Sequence, residues 1–451
     1  MRNRPPSEAT ASASRPFEVT NRSVVAIALP MTLAFITTPL IGLTDTAVVG
    51  QLGQAALIGG LAVGAIIFDV VFATFNFLRS ATTGLVAQAF GRDDGREEQA
   101  VFWRSLTLAM IIGTAILLAG PLIMAAGLAF MDPGPDVRAA TESYVAIRLW
   151  SAPAALVNYA ILGFVLGRGE GTIGLLLQAA INGSNVVLSL WLGLGLGWGL
   201  AGVAWGTVIA ELTGALGGFL FIWSRFDRSA TPGWATIGNR QSLLRLMSLN
   251  RDIMIRSMAL LAAFAFFTRA GVQFGPVVLA ANAVLMNFFF VASFYLDGLA
   301  TAAEQIGGRA IGANHRAAFD KAIRLTIFWG FILSGIGAAS FLLAGPILID
   351  VMTTAPDVRE AADTYLVWAA LSALSGVLAF QMDGVFIGAT WSRDMRNMML
   401  VSLVLYLLML WLIVPSTGNH GLWAAFNVFL GLRGLTLLSL VRRRADETFT
   451  P

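Results

Sequence analysis

The 451 residues are 57% hydrophobic and only 12% charged, and 29 basic against 26 acidic side chains leave a formal net charge of +3. A soluble globular chain carries about 25% charged residues, so these values exclude an ordinary soluble enzyme, a disordered chain and a nucleic-acid-binding surface. The chain has no cysteine, and its two histidines, His315 and His420, fall in polar connections, which removes disulfide, thiolate, iron–sulfur and buried histidine-metal chemistry and leaves a polytopic membrane protein.

Residues 1–22 are rich in Ser, Ala, Pro and Arg and lack an apolar stretch with a cleavage site. They read as a disordered cytoplasmic tail and not as a signal peptide. A helix crossing the hydrocarbon needs about 20 mostly apolar residues. Twelve such runs follow, near 24–50, 56–89, 99–130, 138–166, 171–195, 199–224, 250–275, 277–310, 318–349, 361–390, 396–415 and 421–441. They predict an all-α polytopic membrane protein with a first lobe at 23–224 and a second at 248–441. A cytoplasmic linker at 225–247 joins the lobes, and a cytoplasmic tail at 442–451 ends the chain.

Cytoplasmic loops hold the excess of Lys and Arg. Placing the N-terminus inside assigns nearly all basic clusters to that side, among them Arg2, Arg4, Arg15 and Arg22, Arg225 to Arg256, and Arg442 to Arg444. Only Arg138 and Arg359 fall in outer connections. Both termini are therefore expected in the cytoplasm of a bacterial inner membrane.

The chain repeats itself. Pro135-Asp136-Val137-Arg138 recurs as Pro356-Asp357-Val358-Arg359, an offset of 221 (356 − 135), and Gly91, Gly163 and Gly167 meet Gly312, Gly384 and Gly388 at the same offset. Six spans per half is an even number, so both halves enter the membrane with the same topology. The lobes are then related by a pseudo-two-fold axis along the membrane normal, with a substrate site expected between them.

Charged groups within spans must face protein or water, be paired, or carry a proton. Asp45 lies about 20 residues into the first span, roughly 30 Å along it, with no basic residue nearby in that span. It fits a proton-loading group, a Na⁺ ligand, or a carboxyl merely hydrogen-bonded to Thr44 or to a neighbouring helix. Pro30 and Pro39 interrupt the same span, and each removes a backbone donor, so the helix can hinge there. Asn182, Asn185 and Ser189 have spacings of three and four on the fifth span, which puts them on one face. Thr207 on the sixth span is placed to complete a polar pocket around Asp45, and Asn158 adds a further polar group to the N-lobe. Arg79 or Arg148 with Glu211 reads as a structural ion pair. Asp69 has no evident partner.

In the second half Arg256, Asp297, Glu304 and Asp383 form a charged cluster, read either as an ion-pair network or as a cation-attracting surface. Their repeat mates carry no acid: Asp297 matches Asn76, Glu304 matches Thr83 and Asp383 matches Leu162. Phe264, Phe266, Phe267, Met286, Phe288, Phe289 and Phe290 either line an adaptable cavity or face lipid.

Several stretches resemble one family. These are Gly42-Leu43-Thr44-Asp45-Thr46-Ala47-Val48-Val49-Gly50, Phe77-Leu78-Arg79 leading to Thr83-Gly84-Leu85-Val86-Ala87-Gln88-Ala89, and Asn250-Arg251-Asp252. Leu296-Asp297-Gly298 with Glu304, and Asp383-Gly384-Val385-Phe386-Ile387-Gly388-Ala389-Thr390, complete the set. The chain resembles the multidrug and toxic compound extrusion (MATE) transporters, and within them the DinF-like branch, over nearly its whole length. The resemblance implies twelve helices in two six-helix lobes around a central cavity, and cation-coupled antiport of amphipathic, often cationic compounds. It implies that Asp45 is the coupling residue and that Pro30 marks the bend of the first helix.

The family's Asn-x-x-x-Asp pattern on the fifth helix reads Asn185-Val186-Val187-Leu188-Ser189 here. The missing acid favours H⁺ over Na⁺, although Asp45, Asn185 and Thr207 still offer oxygens to Na⁺. The resulting expectation is a monomeric efflux antiporter for small amphipathic organic compounds in the lipid bilayer. It needs no cofactor beyond H⁺ or Na⁺ as coupling ion, no bound metal and no nucleic acid, and it is not an enzyme. The rivals are a flippase for a lipid-linked precursor, for which Arg148, Arg269 and Arg433 are too dispersed, and an intramembrane aspartyl enzyme at Asp297 and Asp383.

Overall fold

The computed structural model describes residues 18–449; residues 1–17 of the expected N-terminal tail lie outside the described residues. Among the described residues twelve helices are long and apolar enough to cross a membrane. In the first half these are α1 (Asn21–Gly50), α2 (Ala55–Gly91), α3 (Gly95–Leu118), α4 (Pro135–Gly167), α5 (Gly171–Gly195) and α6 (Gly199–Ser224). In the second half they are α7 (Arg240–Val272), α8 (Pro276–Gly312), α9 (Arg316–Met352), α10 (Pro356–Gly388), α11 (Ser392–Leu412) and α12 (Val414–Thr448).

The internal duplication is visible in the helix boundaries. α2 and α8 end at Gly91 and Gly312, α3 and α9 start at Gly95 and Arg316, and α4 and α10 run from Pro135 to Gly167 and from Pro356 to Gly388. Each pair is 221 residues apart. The turns repeat too: Asp93 and Asn314 both have positive φ, as do Gly169 and Thr390. A left-handed residue after a helix satisfies its terminal carbonyls and reverses the chain, so the same turn chemistry recurs in each half.

Several boundaries differ from expectation. α7 begins at Arg240, inside the expected 225–247 linker, because Asn239 caps it by accepting the Ser242 amide at 3.0 Å. α12 continues to Thr448, through most of the expected tail. Its last turns are held by Arg444 on Asp394 at 2.6 Å and by Arg316 on Asp446 at 2.9 Å. The third apolar run breaks at Ala119, and a short helix, Gly120–Met131, continues it behind Pro121. α2 breaks at Asn76, whereas α8 passes unbroken through Asp297, the repeat mate of Asn76.

The Phe residues of α7 and α8 divide between the second half's own core and its outer surface, where Phe266 and Phe290 are exposed. Phe267, Phe288 and Phe289 are almost fully buried, and Phe264, Phe289, Phe267 and Trp423 all pack around Phe426 with ring centroids 5.3–6.1 Å apart. None of the seven Phe and Met residues borders the central cavity. Large rings gain most from packing on other apolar side chains, and the α7–α8–α12 interior supplies that surface.

The halves meet along α1 and α2 on one side and α7, α8 and α10 on the other. Their contact is sealed at the end where α1 starts and α12 ends. There a Cβ added at Gly84 would strike Ile387, one at Gly91 would strike Arg309 and one at Gly312 would strike Gln88. The Gln88 side-chain amide donates to the Gly388 carbonyl at 2.9 Å, and Arg245 donates to Gln88 Oε1 and to the Thr390 hydroxyl, both at 3.0 Å. Glycine lets the helix backbones approach closely. Contacts of Lys321 with Glu18 and of Phe319 with Phe449 place the start of α1 and the end of α12 at this same end.

Candidate functional site in a cavity between the two halves

Beyond that seal, a cavity of about 760 Å³ opens between the halves. This lies within the roughly 300–1,000 Å³ of sites that enclose drug-sized molecules. The first half contributes Asp45, Asp69, Arg79, Arg148 and Glu211 to its wall, and the second contributes Arg256, Asp297, Glu304 and Asp383. Carboxyl groups outnumber arginines by six to three, so the lining is acidic.

Asp45 is 3% exposed and sits where α1 packs along α5. The Ser189 hydroxyl donates to Asp45 Oδ1 at 2.9 Å. Among the described residues no arginine forms an ion pair with Asp45. The one-face spacing on α5 holds, since Asn182, Asn185 and Ser189 are all buried, but the three side chains reach different partners. Asn182 donates to Thr37 on α1 at 2.7 Å and accepts from Gln178 at 3.0 Å, while Asn185 donates to Thr207 on α6 at 2.8 Å. Asp45 and Asn182 border the cavity, whereas Asn185, Ser189 and Thr207 lie behind its wall. Asn185 Oδ1 has no hydrogen-bond partner.

Asn158 stands apart from this group, donating to Glu211 Oε2 at 2.6 Å and to the Glu211 carbonyl at 3.0 Å. The expected ion pair of Glu211 with Arg79 or Arg148 does not form. Arg148 instead donates to the Tyr144 hydroxyl at 2.6 Å, and its guanidinium lies 5.0 Å from the centre of the Phe68 ring. Arg79 turns back on the α2 break, donating to Asn76 Oδ1 at 3.2 Å and Ser80 Oγ at 3.3 Å. Stacking and local hydrogen bonds serve part of each guanidinium group in place of a carboxylate, leaving Arg79 Nη1 and Arg148 Nε without a hydrogen-bond partner.

In the second half Asp383 is gripped by two arginines: Arg256, and Arg433 at 2.7 Å. Arg433 is 2% exposed and was not expected in this cluster. Asp297 faces the cavity, and Glu304 is buried beside the Thr83 hydroxyl of α2 with its Oε1 unpartnered. Asp252 of the Asn250-Arg251-Asp252 stretch accepts from Arg396 at 2.7 Å and from Ser392 at 3.1 Å, fastening α7 to α11. Among the described residues no group of three or more His, Cys, Asp or Glu side chains converges as a metal site.

Pro30 and Pro39 both lie inside α1, which runs unbroken from Asn21 to Gly50. The chain beyond Pro39 carries Asp45 six residues later.

The family model MatE matches residues 30–191 and 253–412, that is α1 to α5 and, again, α7 to α11. DNA damage-inducible protein F of Escherichia coli strain K12 is 37% identical over 92% of this chain and 91% of its own length. The chain belongs to the MatE family. It is thus a multi-pass membrane transporter, and its similarity to the Escherichia coli protein places it on the DinF-like branch. A probable multidrug resistance protein NorM of Agrobacterium fabrum is 28% identical over 88% of each chain. The MATE fold is also that of a solved MATE crystal structure in a bent conformation, which superposes with a TM-score of 0.86 over 95% of this chain and 96% of that one, at 17% identity.

Proposed function

We propose that this MatE-family transporter is a multidrug efflux antiporter of the bacterial inner membrane. It exports small amphipathic, cationic organic compounds by alternating access while H⁺, in preference to Na⁺, runs inward. The observation that carries this reading is Asp45, a carboxyl bordering the cavity whose hydrogen bond comes from the neutral Ser189 and with which no arginine among the described residues forms an ion pair. A buried carboxylate needs a compensating cation, and a proton supplies one without extra ligands. Na⁺ prefers several hard oxygens, and the position that would add a second carboxylate is Ser189.

With both termini in the cytoplasm, the sealed end faces inward and the cavity belongs to an outward-facing state. Cationic substrate leaves as a proton reaches Asp45. Loss of its charge weakens the hydrogen bond from Ser189, α1 bends near Pro30, and the seal opens at the cytoplasmic end. A substrate can be driven only if the cation changes the balance between the two states. The flippase reading asks for a strongly cationic cavity, and a wall in which carboxyls outnumber arginines opposes it.

The test is proton release from purified protein in weakly buffered detergent. Addition of a cationic dye is expected to release protons from the wild type and none from Asp45→Asn. Equal release from both would refute the proposed role of Asp45.

A further inference from the structure

Glu211 is a carboxyl of the cavity wall that proton coupling at Asp45 leaves unused. It projects from α6 and is fixed by Asn158 of α4, whose side-chain amide donates to Glu211 Oε2 at 2.6 Å and to the Glu211 carbonyl at 3.0 Å. Among the described residues no arginine forms an ion pair with it: Arg148 donates to Tyr144 and lies over Phe68, and Arg79 donates to Asn76 and Ser80. Asn158 is 8% exposed and borders the cavity, yet its Oδ1 has no hydrogen-bond partner. With both amide hydrogens directed at Glu211, the rest of the pair is acceptor only. A carboxylate and a carbonyl-type oxygen side by side, with no spare donor, call for a ligand that brings both positive charge and N–H groups. Gly214, one turn along α6, carries no side chain, and a Cβ there would strike Ile181 of α5, so the glycine lets α5 pack closely beside the pair.

We infer that Glu211 and Asn158 form the anchor for a protonated amine in the substrate, distinct from the coupling group Asp45. This deepens the efflux reading and rests on it. The two carboxyls divide the work. Asp45, 3% exposed and held by Ser189, answers to the proton. Glu211 answers to the cargo, and only to cargo whose cation can donate hydrogen bonds. A primary or secondary ammonium satisfies both acceptors, whereas a phosphonium or quaternary ammonium offers charge with nothing to donate.

Equilibrium binding of two fluorescence-monitored probes to purified full-length protein tests this. The probes are dansylcadaverine, which carries a primary ammonium, and tetraphenylphosphonium, which is a cation without N–H. A hydrogen bond to a charged group contributes about 1.5–3 kcal/mol, roughly ten- to a hundredfold in Kd. Glu211→Gln is expected to weaken dansylcadaverine at least about tenfold at this scale and tetraphenylphosphonium markedly less. Asn158→Leu is expected to weaken the amine as well, and Glu211→Asp to restore part of the affinity. Proton release on addition of tetraphenylphosphonium should persist in Glu211→Gln, which also shows that the variant is folded and competent. Unchanged amine affinity in Glu211→Gln, or equal weakening of both probes, would overturn the anchor while leaving the efflux reading intact. If the wild type binds neither probe, the efflux reading falls and the anchor falls with it.

Discussion

Ser189 meets Asp45 at 2.9 Å across the α1–α5 contact, with its hydroxyl donating to the carboxyl. The residue that touches the Asp45 carboxyl is neutral, so the pair holds one titrating group. Replacing Ser189 with Asp would put a second carboxylate against the first, and two such groups so close cannot both stay ionised without a cation between them. Ser189→Asp is therefore expected to confer Na⁺ dependence. In proteoliposomes, a Na⁺ gradient should drive dye export by the variant severalfold better than by the wild type, and equal responses would contradict the assignment.

Asp383 and Arg433 form a buried pair, 8% and 2% exposed at their side chains. Removing one partner of such a pair costs about 3–5 kcal/mol because a charge is left buried and uncompensated. Arg256 still reaches Asp383, so Arg433→Met is expected at the lower end of that range, roughly 3 kcal/mol. The measurement is thermal unfolding in detergent, where the variant should unfold several degrees below the wild type. Asp383→Asn should lose more, since it strands two arginines at once.

Gly91 and Gly312 close the seal between the halves, and an added methyl at either would strike the backbone of the opposite half. Gly312→Ala is expected to hold this end open. The natural chain has no cysteine, so a single cysteine introduced at Thr38, in the cavity wall, reports access directly. A membrane-impermeant thiol reagent should reach it only from the side opposite the termini in the wild-type background. Gly312→Ala should make it reactive from the terminus-bearing side as well.

Gln88 fastens the same seal by hydrogen bonds to Gly388 and Arg245. Gln88→Leu should leave the protein folded while favouring the open seal. The same cysteine at Thr38 should gain reactivity from the terminus-bearing side, by a smaller factor than in Gly312→Ala.

The fold was largely written in hydropathy and in the duplication. Gly91 with Gly312 and Gly167 with Gly388 match in sequence, and each pair ends helices in the structure. The start of α7 was not legible, because a helix need not stop at the membrane surface, and polar residues from Arg240 onward support it as well as a loop. In the site, linear spacing put Asn182, Asn185 and Ser189 on one face, yet it could not show that they turn to Thr37, Thr207 and Asp45 in that order. That choice depends on how α1 and α6 rotate against α5. Arg433 was missed for a related reason. It sits 50 residues from Asp383 in a mostly apolar run, and only the packing of α12 on α10 brings them together. Arg148 was expected to seek a carboxylate, but it turns to the Phe68 ring and to the Tyr144 hydroxyl one turn away. The intra-helix spacing of Tyr144 and Arg148, four residues, was the signal available for that pairing.

Everything in the transport cycle turns on whether occupancy of Asp45 couples an ion gradient to export. Dye transport by everted membrane vesicles carrying wild type or Asp45→Asn, energised by either a pH or a Na⁺ gradient, measures this directly. Export that is driven by the pH gradient in the wild type and abolished in Asp45→Asn is the predicted result. Undiminished export in Asp45→Asn under both gradients would contradict it.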